Sequence, residues 1–229
     1  MGKQKLPTKS FKDWEAEEVE EAFGLIKRRT LPFLEEIKTI RIDPNHEYLR
    51  LIEQYRLDAL DLVNGWNEDE YKFLFISPFL KLVNFSNKYF NVFTQRPMSV
   101  LYENGTKETA GKVEWMLARG KQQPKQPHFF LHEYKPENKV SLLRRDGREA
   151  DPLGQLLIAM VAAQILNADE KPIYGIYVNG RNWFFVVLDA NEYAVSLAYD
   201  ITSDDIFDLF AILELVRDKM AELYKPVMV

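Results

Sequence analysis

The sequence predicts one α/β domain with a helical N-terminal part, and three observations carry that reading. Helical periodicity dominates up to about residue 64 and returns in a run after Asn67. Three β-type runs then follow one another: FNVFTQRPMSVLYENG, KVEWMLARG and PHFFLHEYK, separated by turn-forming residues. An unbroken apolar helix, DPLGQLLIAMVAAQILNA, precedes two more strand-like runs and a last helix. Helices, three strands, a helix, strands and a helix suit a sheet flanked by helices. At 229 residues the chain can bury one sizeable core. It holds no internal repeat and no low-complexity segment.

Taken in order, residues 1–12 read as a disordered basic tail. Asp13 fits an N-cap for DWEAEEVEEAFGLIKRR, whose acids come early and whose Lys27, Arg28 and Arg29 come late, as the helix dipole favours. LPFLEEIKTI is a second helical run. NHEYLRLIEQYRLDALDLV is a third, with Leu49, Ile52, Tyr55 and Leu60 as its apolar stripe. NEDEYKFLFISPFLKLVNF follows, and Pro78 should kink or divide it. In the later helix Asp151 takes the N-cap and Pro152 the first turn. Its small residues Gly154, Ala159, Ala162 and Ala163 allow close approach to a sheet. IYGIYVNG and NWFFVVLDA read as core strands paired through Asn179-Gly180-Arg181, and EYAVSLAYD as one more strand. SDDIFDLFAILELVRDKMAELY is an amphipathic helix capped by Ser203. The expected division is a tail and helical extension over 1–64 and an α/β domain with a C-terminal helix over 65–229.

Composition narrows the chemistry. Hydrophobic residues make up 46% and charged residues 28%, an ordinary globular balance. No apolar run approaches the ~20 residues of a membrane span. The N-terminus has no apolar signal region, and Leu6 stands where a myristoylation signal requires Ser or Thr. With no Cys, disulfides, thiolate zinc sites and cysteine nucleophiles are excluded, and a cytoplasmic home is the expectation. His46, His128 and His132 are too scattered for a metal cluster. Net charge is −5 overall, yet residues 71–149 carry +7 between flanks of −5 and −7. A basic zone inside an acidic chain suits a polyanion site. Within it, Arg144, Arg145 and Arg148 of SLLRRDGR are candidate phosphate contacts.

FFLHEYKPE carries the chemical question. On a strand, Phe129, Leu131, Glu133 and Lys135 share one face, so a core stripe ends in two opposite charges. Charge continuing a buried stripe needs compensation. An isolated E-x-K is commonly a solvated ion pair worth under about 1 kcal/mol. Here the preceding strand carries Glu114, which neighbouring strands would set close to Glu133. Two close carboxylates repel unless they share a proton or cation. All-oxygen donors suit Mg²⁺ or Mn²⁺, and Lys135 could orient a water or stabilise charge on a phosphate.

These residues resemble the PD-(D/E)XK nuclease superfamily, particularly its restriction-type branch. Glu133-Tyr134-Lys135 matches the acid-x-Lys element, and Glu114 in GKVEWMLARG matches the acid of the strand before it. That family usually has Asp there, and the extra methylene moves a ligand by about an ångström. NEDEYKFLFISPFL matches a helical acid placed ahead of an Ile-x-Pro-x-Leu segment, with Glu68 at the expected spacing and Glu70 its rival. Glu68 would share a helix face with Phe75 and Phe79. Gln155 fits the Gln found early in the following helix of several branches. The match covers about residues 66–190.

The resemblance implies a restriction-endonuclease-like core, a mixed central sheet flanked by helices, with an N-terminal helical extension. It implies a Mg²⁺- or Mn²⁺-dependent nuclease acting on nucleic acid, DNA foremost. Glu114 and Glu133 would hold the metal, Glu68 would support it or its water, Lys135 would position the nucleophile and Gln155 would orient the set. The N-terminal helices would serve target recognition, a homodimer or a protein partner. The alternative is a catalytically inactive protein of that fold, binding nucleic acid or protein. Trp115, Tyr134 and His132 read as packing residues beside the acids.

Overall fold

The computed structural model describes residues 6–88, 90–135 and 151–223, with the backbone alone at Pro127 and over 129–135. The chain begins with β1 (Thr8–Ser10), a 3₁₀ turn (Phe11–Asp13), α1 (Ala16–Phe23), β2 (Ile26–Lys27), α2 (Pro32–Ile37) and α3 (Leu49–Leu62). It continues with α4 (Glu68–Tyr71), a π-helical segment (Lys72–Ile76) and α5 (Ser77–Val83). Then come β3 (Phe90–Tyr102), β4 (Lys107–Arg119), β5 (Lys125–Lys135), α6 (Pro152–Asn167), β6 (Ile173–Asn179), β7 (Asn182–Asp189), β8 (Glu192–Val195), β9 (Tyr199–Asp200) and α7 (Asp205–Leu223).

Among the described residues the strands form one mixed sheet of nine. Its main path is β1-β4-β5-β6-β7-β8-β2, with β3 also on β4 and β9 also on β7. β3, β4 and β5 are successively antiparallel. β5 and β6 are parallel, so their connection must cross over, and α6 supplies that crossover. One face of the sheet presents Trp115, Leu117, Ile176, Val178, Trp183 and Phe185 to α2, α3, α5 and α7. The other presents Phe93, Met116, Ala118, Val186 and Leu188 to α6 and the N-terminal segment. The result is three layers, helices on both faces of a sheet. No helix among the described residues is long and apolar enough to cross a membrane.

The N-terminus departs most from expectation. The part of the expected tail that is described forms β1, parallel to β4, with Thr8, Lys9 and Ser10 opposite Glu108, Thr109 and Ala110. Phe11 is 3% exposed because Gly111 leaves room for its ring, which a Cβ there would meet at 2.4 Å. The Trp14 indole N–H donates to Thr109 Oγ1 at 2.9 Å, and that hydroxyl donates to the Lys9 carbonyl at 3.1 Å. An aromatic anchor on each side of Lys12 thus converts a tail into a docked arm. Asp13 lies in the 3₁₀ turn rather than capping α1; Glu15 and Glu18 form the capping box instead. Gly24, at φ +66°, ends α1 before Lys27, Arg28 and Arg29, and Ile26–Lys27 join the sheet beside β8.

Other local expectations shift for physical reasons. In α3 the buried stripe runs through Ile52 and Ala59 to Val63, while Leu60 is 51% exposed. Ahead of Pro78 the helix changes form: the turn over Lys72–Ile76 widens to π geometry, where the Ser77 N–H bonds the Lys72 carbonyl, and α5 begins at Ser77. Asp151 sits at the N-cap of α6, but its carboxylate accepts from the Ala16 N–H of α1 at 2.8 Å. Gly154 admits the arm rather than the sheet, for a Cβ would lie 2.6 Å from the Trp14 carbonyl oxygen. Gly175 of β6 gives α6 its close approach, against Met160 and Leu156. EYAVSLAYD splits into β8 and β9, which pair with different parts of β7.

Candidate active site

The site lies where one edge of β4 changes partner. β5 pairs with that strand over Trp115–Arg119, and β1 pairs with it over Glu108–Ala110. Between the two, residues 111–114 have no strand partner on that edge among the described residues. Side-chain alternation also breaks there. Val113 packs in the same layer as Met116, although strict alternation would put it with Trp115 and Leu117 in the other. Opposite, Gln95 of β3 takes a φ of +54°, a backbone region that side chains disfavour. The Gln95 amide donates to the Glu114 carboxylate, so the distorted residue is held by the acid it faces.

Glu114 is 10% exposed at its side chain, and the same carboxylate oxygen lies 3.0 Å from the Lys72 ammonium. Lys72 also donates to Glu68 at 3.0 Å. One ammonium therefore gathers the acid of β4 and the first-turn acid of α4. Local sequence explains the placement of Glu68. Asn67 accepts from the Asp69 and Glu70 N–H groups while the Glu70 carboxylate returns to the Asn67 N–H, a reciprocal cap that starts the helix one residue before Glu68. Glu70, the rival helical acid, is thereby committed to the cap. Burial would depress the Lys72 ammonium, but hydrogen bonds to Glu114 and Glu68 outweigh it and hold its pKa above the ordinary lysine value. Lys72 stays charged, and both acids keep a counter-charge.

Gln155, 5% exposed in the first turns of α6, lines a crevice with Glu114, Val113, Lys112, Phe11 and Lys12. The crevice encloses about 10 Å³, room for about one water. The β4–β5 register ends at Trp115–His132, so positions 114 and 133 each follow directly on the last paired residue of their strand. On the other side Glu133 aligns with Tyr177 and Lys135 with Asn179. Burial, with Asp151 adding to it, pushes the Tyr177 hydroxyl up to about 12, so it remains a neutral donor. The side chains of Glu133 and Lys135, like the whole of Arg144, Arg145 and Arg148, lie outside the described residues.

Of the residues expected from sequence, the fold thus joins Glu68 to Glu114 through Lys72 and Glu114 to Gln155 through the crevice, while the backbone of 133–135 continues β5 along β6 past the end of its pairing with β4. Sequence reading missed Lys72, Gln95, Lys12 and Lys112. Lys72 carried a signal: it stands four residues after Glu68, the favourable orientation for a helical Glu–Lys pair. Gln95 and Lys12 carried none, because their roles depend on strand pairing. Trp115 is a packing residue, edge-on to Phe85 at 5.2 Å. A hard cation suits the carboxylate oxygens of Glu68 and Glu114, which already surround one positive charge. Among the described residues, no group of three or more His, Asp or Glu could hold a metal ion. No known protein family matches this chain, and no curated protein does either.

Proposed function

We propose that this protein is a metal-dependent nuclease-like hydrolase of nucleic-acid phosphodiester bonds, built on a restriction-endonuclease-like core. The observation that carries the proposal is the convergence of Glu68 and Glu114 on one ammonium at the break in β4, just past the last β4–β5 pair, Trp115–His132. Glu68, Glu114 and Glu133 would hold Mg²⁺ or Mn²⁺, and such an ion generates a nucleophile from water and polarises a phosphoryl oxygen. Lys72 draws Glu68 and Glu114 together. Gln95 fixes the rotamer of Glu114 from the neighbouring strand. Gln155 orders the water of the crevice, and Lys135 offsets negative charge that develops on the phosphate. Arg144, Arg145 and Arg148 add phosphate contacts.

The test is cleavage of single-stranded, duplex and branched DNA and of RNA, with Mg²⁺ or Mn²⁺ and with EDTA. Glu133→Gln and Lys135→Ala should each lose about a hundredfold or more in rate while melting like wild type. Absence of cleavage on every substrate, or cleavage that persists in EDTA, removes the catalytic reading. One observation favours a second reading, a non-catalytic nucleic-acid-binding protein. Lys72 already neutralises the two carboxylates that a divalent ion would use. Salt-sensitive binding without cleavage is its expected result.

A further inference from the structure

We propose that the N-terminal arm forms part of the substrate surface: Lys12, with Lys112 of β4, contacts nucleic-acid phosphates across the mouth of the Glu114–Gln155 crevice. This rests on the nucleic-acid reading above but not on cleavage. The arm is fixed, not trailing. Phe11 fills the space over Gly111, Trp14 bonds Thr109, and the Lys9 ammonium sits 4.0 Å over the Trp14 ring and 2.9 Å from Glu18. Lys12 lies between those two anchors. Parallel pairing ends at Ser10–Ala110, so the next residues of the arm run beside 111–112, where β4 has lost one partner and not yet met the other.

Charge distinguishes the two lysines. Lys9, Lys38, Lys72, Lys107 and Lys219 each sit within 3.0 Å of a carboxylate. Lys12 and Lys112 are exposed, line the crevice, and have no carboxylate partner among the described residues. The neighbouring strand adds Arg96, registered opposite Val113 of the lining. Its guanidinium lies 5.6 Å over the Phe93 ring, and its buried Nε has no acceptor among the described residues. Three cations without a carboxylate partner among the described residues, beside a carboxylate site, suit an anion rather than a cationic or apolar ligand. An enclosed volume of about 10 Å³ cannot admit a nucleotide, so the ligand must lie across the opening. An extended chain of phosphates meets both requirements. Lysine ammoniums suit it as point charges that position the chain without reading its bases.

The experiment is fluorescence anisotropy of labelled single-stranded and duplex oligonucleotides in EDTA across a salt series. It compares wild type, Lys12→Ala, the Lys12→Ala/Lys112→Ala double variant, Lys12→Arg, and Lys27→Ala on β2 at the far edge of the sheet. The double variant should bind about three- to tenfold more weakly, and its log–log salt slope should fall by about 1.4 for single strands and 1.8 for duplex. Lys12→Arg and Lys27→Ala should match wild type. An unchanged slope in the double variant, an equal loss in Lys27→Ala, or no binding by wild type overturns the inference. Binding that depends on Lys12 in a protein that cuts nothing removes the catalytic reading alone. Cutting that ignores both lysines removes this inference alone.

Discussion

Lys72 is the residue through which α4 and β4 share a charge. Lys72→Met would leave Glu114, 10% exposed, with its charge opposed mainly by the Gln95 amide. The expected loss is about 1–3 kcal/mol in urea unfolding, below the value for a fully buried pair because Lys72 and Glu68 are partly exposed. Lys72→Met/Glu114→Gln should recover part of it, since removing both partners leaves no orphaned charge; a strictly additive double variant would contradict the pairing. His128 offers a pH test. Burial holds its pKa below the usual histidine value, against an opposing contribution from Asn167. The unfolded chain therefore takes up its proton first as pH falls, and stability is lost below about pH 6.5. Between about pH 7.5 and 5.5, wild type should lose more melting temperature than His128→Gln. Equal losses would show that His128 contributes nothing to the acid limb.

At the scale of elements, two junctions decide the site. The π segment sets Lys72 at its start and Pro78 just past its end, so a residue read as a helix breaker is absorbed by a wider turn. The second junction is the arm on β4. Gly111→Ala would bring a methyl within 2.4–2.6 Å of the Phe11 side chain, which must move. The expected cost is about 1–3 kcal/mol by thermal or urea unfolding. The Phe11→Ala change alone should cost about 3–5 kcal/mol. Together the two changes should cost less than their sum, because the smaller side chain removes the clash. Full additivity would mean that Phe11 does not dock on Gly111. Asn167 joins the far end of α6 to β5 in the same spirit: its side-chain amide pairs with both the N–H and the carbonyl of His128, at 2.7 and 2.8 Å.

Over the whole molecule, the N-terminal third is woven into the sheet. β1 and β2 occupy opposite ends of its main path, and Phe33, Leu34, Ile37 and Ile52 belong to one core layer with Phe79, Trp183 and Phe210. The fragment 65–229 would expose those contacts, so it should show neither a native near-ultraviolet spectrum nor a cooperative melt. The full chain should unfold in one transition by both far- and near-ultraviolet circular dichroism. A fragment that melts cooperatively at the wild-type temperature would contradict this.

The sequence by itself determined the order of the main elements, the helix between β5 and β6, and the β6–β7 hairpin at Gly180. Each rests on short-range periodicity or turn chemistry, which the chain carries locally. It also placed Glu68 beside a helix start, a feature of a single helical turn. Only the tertiary structure decided that the basic N-terminus is an arm, because its docking depends on Gly111 and Thr109, a hundred residues away in the chain. Likewise, Glu114 reaches the helical layer because alternation breaks at a strand edge that changes partner. Long-range pairing sets such an edge, and no local pattern announces it.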